Sequence, residues 1–341
     1  MPINAERNEL ATNRLVGALR HGNSLALVGA GVSVWAGYGG WSQVIEHLAG
    51  SVHAVLPEVD TQRIIENNRN PLHCAKHLGA YLGPGLAEFI RTEFGPNGKK
   101  PNDLLFRLCS LPFKHFLTLN FDYSLEQING ALGRAYHSLS TRNLPDLITF
   151  MRSHDGADTA RCVLHLHGTF ADPPEQIALT NDGYARLYPD GTLFRKFVWW
   201  LTTSKCLVFL GFGFTDSDFL NAIRQAAWDL RDERDPMHFA IRGIRPDEND
   251  EAIRNELNDS YKIEPIFYEL AEDAQNRHVG FAALIERIAA DLELPMLVPP
   301  VVIPTDAAPA AAPEPDDLRR AERLAEELVA KLDPGGDDVP R

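Results

Sequence analysis

Four short stretches set residues able to do chemistry at the ends of apolar runs: Gly29-Ala30-Gly31-Val32-Ser33, Asn120-Phe121-Asp122, His165-Leu166-His167-Gly168 and Gly211-Phe212-Gly213-Phe214. In the first, two glycines one residue apart let a pyrophosphate approach the backbone more closely than a Cβ would permit, and the amides after them can donate to it. A dehydrogenase fingerprint would carry a third glycine at position 34, which is Val34, so the pattern also reads as a plain strand-to-helix turn. Asn120 and Asp122 come directly after the strand-like HFLTL, and the carboxyl end of a parallel strand is where doubly wound folds bind ligands. The alternative there is an Asx turn, or Asp122 as the cap of a helix starting at SLEQI. Strand alternation sets His165 and His167 on one face, with Gly168 ending the strand and His167 nearer the ligand-binding edge. Paired histidines could ligate a metal, but no third ligand of suitable spacing lies nearby, and a structural histidine is the plainer alternative. Gly211 and Gly213 with Phe214 repeat the first pattern, and Thr215-Asp216-Ser217-Asp218 offers caps for a helix behind it. Two glycine loops at strand ends of one sheet imply a ligand long enough to touch both, and a dinucleotide has that length.

Holding these residues together requires a sheet. Residues 24–34, SLALVGAGVSV, run from a buried strand into a tight turn, and further strand-like runs fall at 115–121, 162–170, 205–214, 237–243 and 262–270. Helical patterns separate several of them, which predicts an α/β, Rossmann-like doubly wound parallel sheet. From about Trp41 to His115 the apolar positions have helix period (Val44, Ile45, Leu48; Leu86, Phe89, Ile90; Leu104, Leu105, Leu108), so 41–115 reads as a helical insertion. The catalytic domain is expected over 1–295, with a Pro/Ala-rich linker at 296–314 and a capped amphipathic helix at 315–333 behind it.

Composition narrows the classes. A net charge of −14 over 341 residues argues against general nucleic-acid backbone binding, which depends on clustered Lys and Arg. No apolar run approaches the ~18 residues of a membrane span, and the polar start MPINAERNELATNRL lacks the pattern of a signal or transit peptide, so a cytoplasmic protein is expected. Cys74, Cys109, Cys162 and Cys206 are scattered singly, without the CxxC pair of a zinc ribbon.

Taken in order, GAGVS, LTLNFD, LHLHG and FLGFGFTDSD resemble the motif series of sirtuin-like domains over about residues 10–290. The resemblance implies an NAD-binding domain in which Gly29, Ala30, Gly31 and Ser33 hold the phosphates and ribose, while Gly211 and Gly213 with Phe214 line the adenosine side. It implies that Asn120 sits beside the ribose and its attacking water, that Asp122 holds the nicotinamide carboxamide, and that His167 is the base; histidine chemistry sets the expectation of a pKa near neutrality for it. Zinc-ribbon cysteines are absent, so no zinc is expected, and VWAGYGGW stands where the deacylating members carry Gly-Ile-Pro-Asp-Phe-Arg. The chain thereby resembles the bacterial branch that degrades NAD in antiphage defence, where a helical insertion takes the place of the zinc module.

The resemblance implies an NAD glycohydrolase (an NAD+ nucleosidase) that releases nicotinamide and ADP-ribose and is held in check until infection. It also implies a homo-oligomer and a defence partner of the translocase-type ATPase or Argonaute-like kind. Nicotinamide leaves a cationic ring as a neutral group, so the chemistry needs positioning more than acid catalysis. Two other classes remain open: an NAD-dependent protein deacylase or ADP-ribosyltransferase, and a non-catalytic NAD or ADP-ribose binding module that regulates a partner.

Overall fold

The computed structural model describes residues 3–68, 70–153, 161–230, 238–273, 277–295 and Leu297. The linker expected at 296–314, Leu297 apart, and the helix expected at 315–333 lie outside the described residues.

The strands are β1 (Ser24–Val28), β2 (His115–Thr118), β3 (Tyr136–Ser140), β4 (Arg161–His165), β5 (Cys206–Leu210), β6 (His238–Ile244) and β7 (Ile263–Glu269). They form one parallel sheet in the order β3-β4-β2-β1-β5-β6-β7. Helix α1 (Ala5–Arg20) precedes β1, and α2 (Ala30–Trp35) comes directly after it. Before β2 come α3 (Trp41–Val55), α4 (Thr61–Asn67), α5 (Pro71–Leu82), α6 (Gly85–Phe94) and α7 (Asp103–Leu108). Then α8 (Ser124–Ala131) joins β2 to β3 and α9 (Leu144–Ser153) joins β3 to β4, while α10 (Asn181–Leu187) and α11 (Leu193–Ser204) join β4 to β5. The last crossovers are α12 (Ser217–Asp229) and α13 (Asp250–Tyr261), with α14 (Val279–Asp291) after β7.

Both faces of the sheet are covered, which is why β1, SLALV, is buried at all five positions and reads as a continuous apolar run. Ala26, Val28, Val208, Leu210, Ile241 and Ile266 face one layer of helices, with Leu15 of α1 and Ile285 of α14. Leu25, Leu27, Leu164, Phe209 and Ala240 face the other, against Phe197 of α11 and Ile223 of α12. A third apolar cluster joins α3, α5 and α6 through Leu48, Leu78 and Ile90 and reaches Phe121 and Ile177 beside the carboxyl edge of the sheet. The edge strand β7 is capped rather than left open: the Asn8 side chain accepts from the Phe267 N–H (2.7 Å) and donates to its carbonyl (2.9 Å).

Four readings of the sequence change. The strand-like run 162–170 is a strand only to His165; Leu166 then donates to the Thr118 carbonyl (2.8 Å) and the chain turns, Gly168 adopting φ +87°. His165 therefore faces α8 while His167 faces the tyrosines around α10, so the two histidines do not share a face. The runs 115–121 and 205–214 likewise end as strands at Thr118 and Leu210, and their remaining residues form loops. Strand β3 was not expected from the sequence at all.

Candidate active site

The strand order reverses direction at β1, since β2 lies on one side of it and β5 on the other. Ligands of open α/β sheets bind at the carboxyl ends of the strands beside such a point. Here a cavity of about 510 Å³ opens, and Gly29, Ala30, Gly31, Ser33, Asn120, Asp122, His167, Gly211, Gly213 and Phe214 all line it. The structure thus brings these ten residues to one cavity and leaves His165 outside its wall.

The β1 and β5 loops interlock. Gly29 N–H donates to Leu210 O (2.9 Å) and Gly31 N–H to Gly211 O (3.0 Å), and a Cβ on Gly29 or Gly31 would lie 2.7 or 2.8 Å from the Gly211 carbonyl oxygen. Gly211 itself has φ +61° and presses on Val32, so a side chain there meets both strain and backbone. These three glycines are thus required by loop-on-loop contact, and the Gly31 amide is already committed, as is Val32 N–H, which donates to Gly29 O (3.1 Å). The expectation that the amides after the glycines serve a pyrophosphate is narrowed accordingly, leaving Ala30 at the mouth of α2. Gly213 is different, with nothing nearer than 3.7 Å to its virtual Cβ. Phe214 holds φ +53°, a left-handed conformation that costs a non-glycine residue about 1–2 kcal/mol.

Ser33 is the hub on the β2 side. Its hydroxyl donates to Asp122 Oδ2 (2.5 Å) and accepts from Asn120 Nδ2 (2.7 Å), which also donates to Gly29 O (3.0 Å). Both amide hydrogens of Asn120 are consumed, so its Oδ1 is the atom it offers a ligand. Asp122 Oδ1 accepts from Ser124 N–H (3.0 Å), an Asx turn one residue ahead of the helix cap position, which Tyr123 occupies. The turn reading and the site reading of Asp122 therefore hold together: the turn aims the carboxylate.

His167 is buried on the far wall. Its Nε2 lies 2.6 Å from Tyr188 Oη, and its ring meets Tyr184 edge-on at 5.0 Å. Tyr184 Oη donates to Asp216 Oδ2 (2.7 Å), while Asp216 Oδ1 caps α12 by accepting from Phe219 N–H (3.0 Å), as the sequence suggested. Burial pushes His167 down to about 4, with the Asp216 charge opposing and the Arg142 charge reinforcing the shift. A pKa near neutrality is thereby corrected: desolvation outweighs the nearby carboxylate, and the ring is neutral at pH 7.

His165 has no place in the cavity wall. Its Nε2 meets Glu126 Oε1 (2.8 Å) and its Nδ1 meets the Asn120 carbonyl (2.9 Å). Burial lowers its pKa, yet the Glu126 charge and hydrogen bond, the Asn120 carbonyl and the Asp122 charge outweigh burial, and the net shift is upward. Among the described residues, no three His, Cys, Asp or Glu side chains group as a metal site would need.

Sequence reasoning missed Tyr184 and Tyr188, whose i, i+4 spacing was their one signal and is shared by any buried helix face. It also missed Trp35, Tyr38, Tyr268 and His278, which wall the cavity toward β6 and β7 with Arg242.

A family model described as the SIR2-like domain matches residues 114–266. The NAD(+) hydrolase ThsA of Enterococcus faecium is 24% identical over 230 residues, which cover 67% of this chain and 45% of that protein. The NAD(+) hydrolase ThsA of Acinetobacter baumannii (strain 532279) is 27% identical over 212 residues, 61% of this chain and 40% of that one. The matches span less than half the length of these curated relatives. The segment that is similar to the SIR2-like domain contains Asn120, Asp122, His167 and the second glycine loop.

Proposed function

We propose that the protein hydrolyses NAD to nicotinamide and ADP-ribose. The observation that carries this reading is the convergence of Asn120, Ser33, Asp122 and His167 on one cavity at the switch point of the sheet. Similarity to two NAD(+) hydrolases supports it.

In this reading the pyrophosphate spans the interlocked loops, the nicotinamide riboside lies over β2 and β4, and the adenosine lies toward β5 and β6. The C1′–N bond breaks with its electron pair passing to the pyridinium ring, which leaves as neutral nicotinamide. The ribose becomes oxocarbenium-like, and the Asp122 carboxylate favours that charge while accepting from the departing carboxamide. Asn120 Oδ1 accepts a hydrogen bond from water and directs its oxygen at C1′. As the C–O bond forms, the water's proton passes to His167, whose low basicity delays the transfer until the water oxygen has become strongly acidic. Asp216 and the Tyr184 hydroxyl that it holds steady the resulting imidazolium.

A role in antiphage defence, a homo-oligomer and a partner of the translocase or Argonaute-like type belong to the same proposal and rest on the sirtuin-like resemblance, while a cytoplasmic location is proposed from the sequence composition. Among the described residues no helix is long and apolar enough to cross a membrane. Mass spectrometry of NAD incubated with the protein, with and without an acyl-lysine peptide, tests the reaction. Nicotinamide and ADP-ribose without peptide are expected. Turnover only with peptide, with the acyl group appearing on ADP-ribose, would establish deacylation instead.

A further inference from the structure

The two ends of the cavity differ in charge. On the side of His167 its wall holds two carboxylates, Asp122 and the Asp216 that Tyr184 engages. At the other end, among Ile241, Gly243, Tyr268 and His278, the cation is Arg242, and no Asp or Glu of the described residues lines the wall there. Ile241 pairs with Leu210, the last residue of β5, so Arg242 is the first residue of β6 past the end of β5, at the carboxyl edge of the sheet. Its Nη2 donates to Glu248 Oε1 (3.2 Å), and Glu248 lies outside the cavity wall. Glu248 Oε2 in turn accepts from the Arg245 N–H (2.8 Å) and lies 3.6 Å from Arg245 Nε, so its charge is shared between two arginines. Glu248 thus orients the Arg242 guanidinium through one of its five N–H groups, and the side chain stays 29% exposed.

We propose that the protein hydrolyses NADP as well as NAD, with Arg242 binding the 2′-phosphate of the adenosine ribose. The inference rests on the reading of the cavity as an NAD-hydrolase site with the adenosine toward β5 and β6. Doubly wound folds that select NAD set a carboxylate on the adenosine 2′-hydroxyl, where it repels a phosphate, and those that take NADP set an arginine nearby. The adenosine end here has the arginine and lacks the carboxylate in its wall. A guanidinium fork matches phosphate oxygens two at a time, which an ammonium cannot do. The added phosphate lies at the far end of the dinucleotide from the reacting bond, so the chemistry is that of NAD. The C1′–N bond breaks with its electron pair passing to the pyridinium ring, and water forms the new C1′–O bond and gives up a proton. The products are nicotinamide and 2′-phospho-ADP-ribose, with the phosphate ester intact.

The test measures nicotinamide release from NAD and from NADP by the full chain, and reads the ratio of kcat/KM for NADP to that for NAD, in which any general loss of activity cancels. Wild type is expected to use the two within about tenfold of each other. Arg242→Gln keeps a donor and removes the charge; it should lower the ratio about tenfold or more, the size of a lost hydrogen bond to a charged group. Arg242→Lys keeps the charge without the fork and should fall between. Calorimetry with ADP-ribose and 2′-phospho-ADP-ribose on the same proteins gives the matching ratio of affinities. A wild type that hydrolyses NAD but uses NADP more than about tenfold less well, or a ratio unchanged in Arg242→Gln, overturns the proposal. Nicotinamide from neither dinucleotide would remove the hydrolase reading and NADP hydrolysis with it. The affinity ratio would then judge Arg242 alone: a fall in Arg242→Gln retains the 2′-phosphate contact, and an unchanged ratio removes it.

Discussion

Replacing Ser33 by alanine deletes one oxygen atom that two side chains, Asp122 and Asn120, depend on. In the native protein the Ser33 hydroxyl, 4% exposed, donates to Asp122 Oδ2 at 2.5 Å and receives one of the two Asn120 amide hydrogens at 2.7 Å. A hydrogen bond to a charged group is worth about 1.5–3 kcal/mol, and the bond to Asp122 is of that kind. Asn120 keeps its tether to Gly29 O but becomes free to pivot about it, so its Oδ1 is no longer fixed toward the ribose. If the whole of that energy is felt only when charge develops on the ribose, kcat falls by a factor of about 10 to 150. The variant should be made together with Ser33→Thr, which restores the hydroxyl. Nicotinamide release measured by chromatography gives kcat, and urea unfolding reports how much of the loss is stability. A Ser33→Ala protein with kcat within twofold of wild type would refute the hub, because neither Asn120 nor Asp122 would then depend on it for position.

Gly31→Ala should cost about 1–3 kcal/mol of stability and abolish NAD binding, because its Cβ would meet backbone at 2.8 Å; Gly213→Ala, with 3.7 Å of clearance, should stay close to wild type in urea titrations. Removing His165 breaks its buried hydrogen bond to Glu126 and leaves that side chain with Ser138 as its remaining partner among the described residues, so His165→Ala should lose about 1–3 kcal/mol of unfolding free energy, whereas His167→Ala should lose activity first. His238, fully buried with Nδ1 accepting from Leu207 N–H, is held down to about 4, as is His167. The unfolded chain binds those protons near 6.5, so stability falls as pH drops from about 6.5 toward 4, by about 3 kcal/mol for His238. His165 runs the other way, contributing stability below about 6.5 that is lost as pH rises through its raised pKa. Denaturant midpoints between pH 4 and 9 for wild type and His238→Gln separate the terms, and equal acid sensitivity of the two proteins would count against the burial argument.

The sheet and the site differ in how far the sequence disclosed them. Strands β1, β2 and β5 are buried at all but one position because helices cover both faces, and their apolar runs are conspicuous. Strand β3 lies at the edge with only Leu139 and Ser140 buried, so YHSLS carries no pattern to distinguish it from a loop. The strands also end earlier than their apolar runs do, since Leu119, Phe121 and Leu166 continue inward as buried or half-buried loop residues around the cavity. Asn120, Asp122 and His167 were visible as polar residues where apolar runs break. The reason for Gly29 and Gly31 was not, because the Gly211 carbonyl they accommodate is distant in sequence. Nor was the depressed pKa of His167, which comes first from its burial in the folded chain.

The most direct test of the central claim pairs turnover with binding in a single substitution. Wild type and Asn120→Ala are each incubated with NAD, free nicotinamide and ADP-ribose are quantified, and ADP-ribose affinity is measured by calorimetry on the same preparations. Asn120 is assigned to water positioning and not to holding the product. The account therefore predicts one nicotinamide per ADP-ribose from wild type, a loss of about 100-fold or more in Asn120→Ala, and ADP-ribose binding retained by both. Equal nicotinamide release from the two proteins, or a wild type that binds neither NAD nor ADP-ribose, would contradict it.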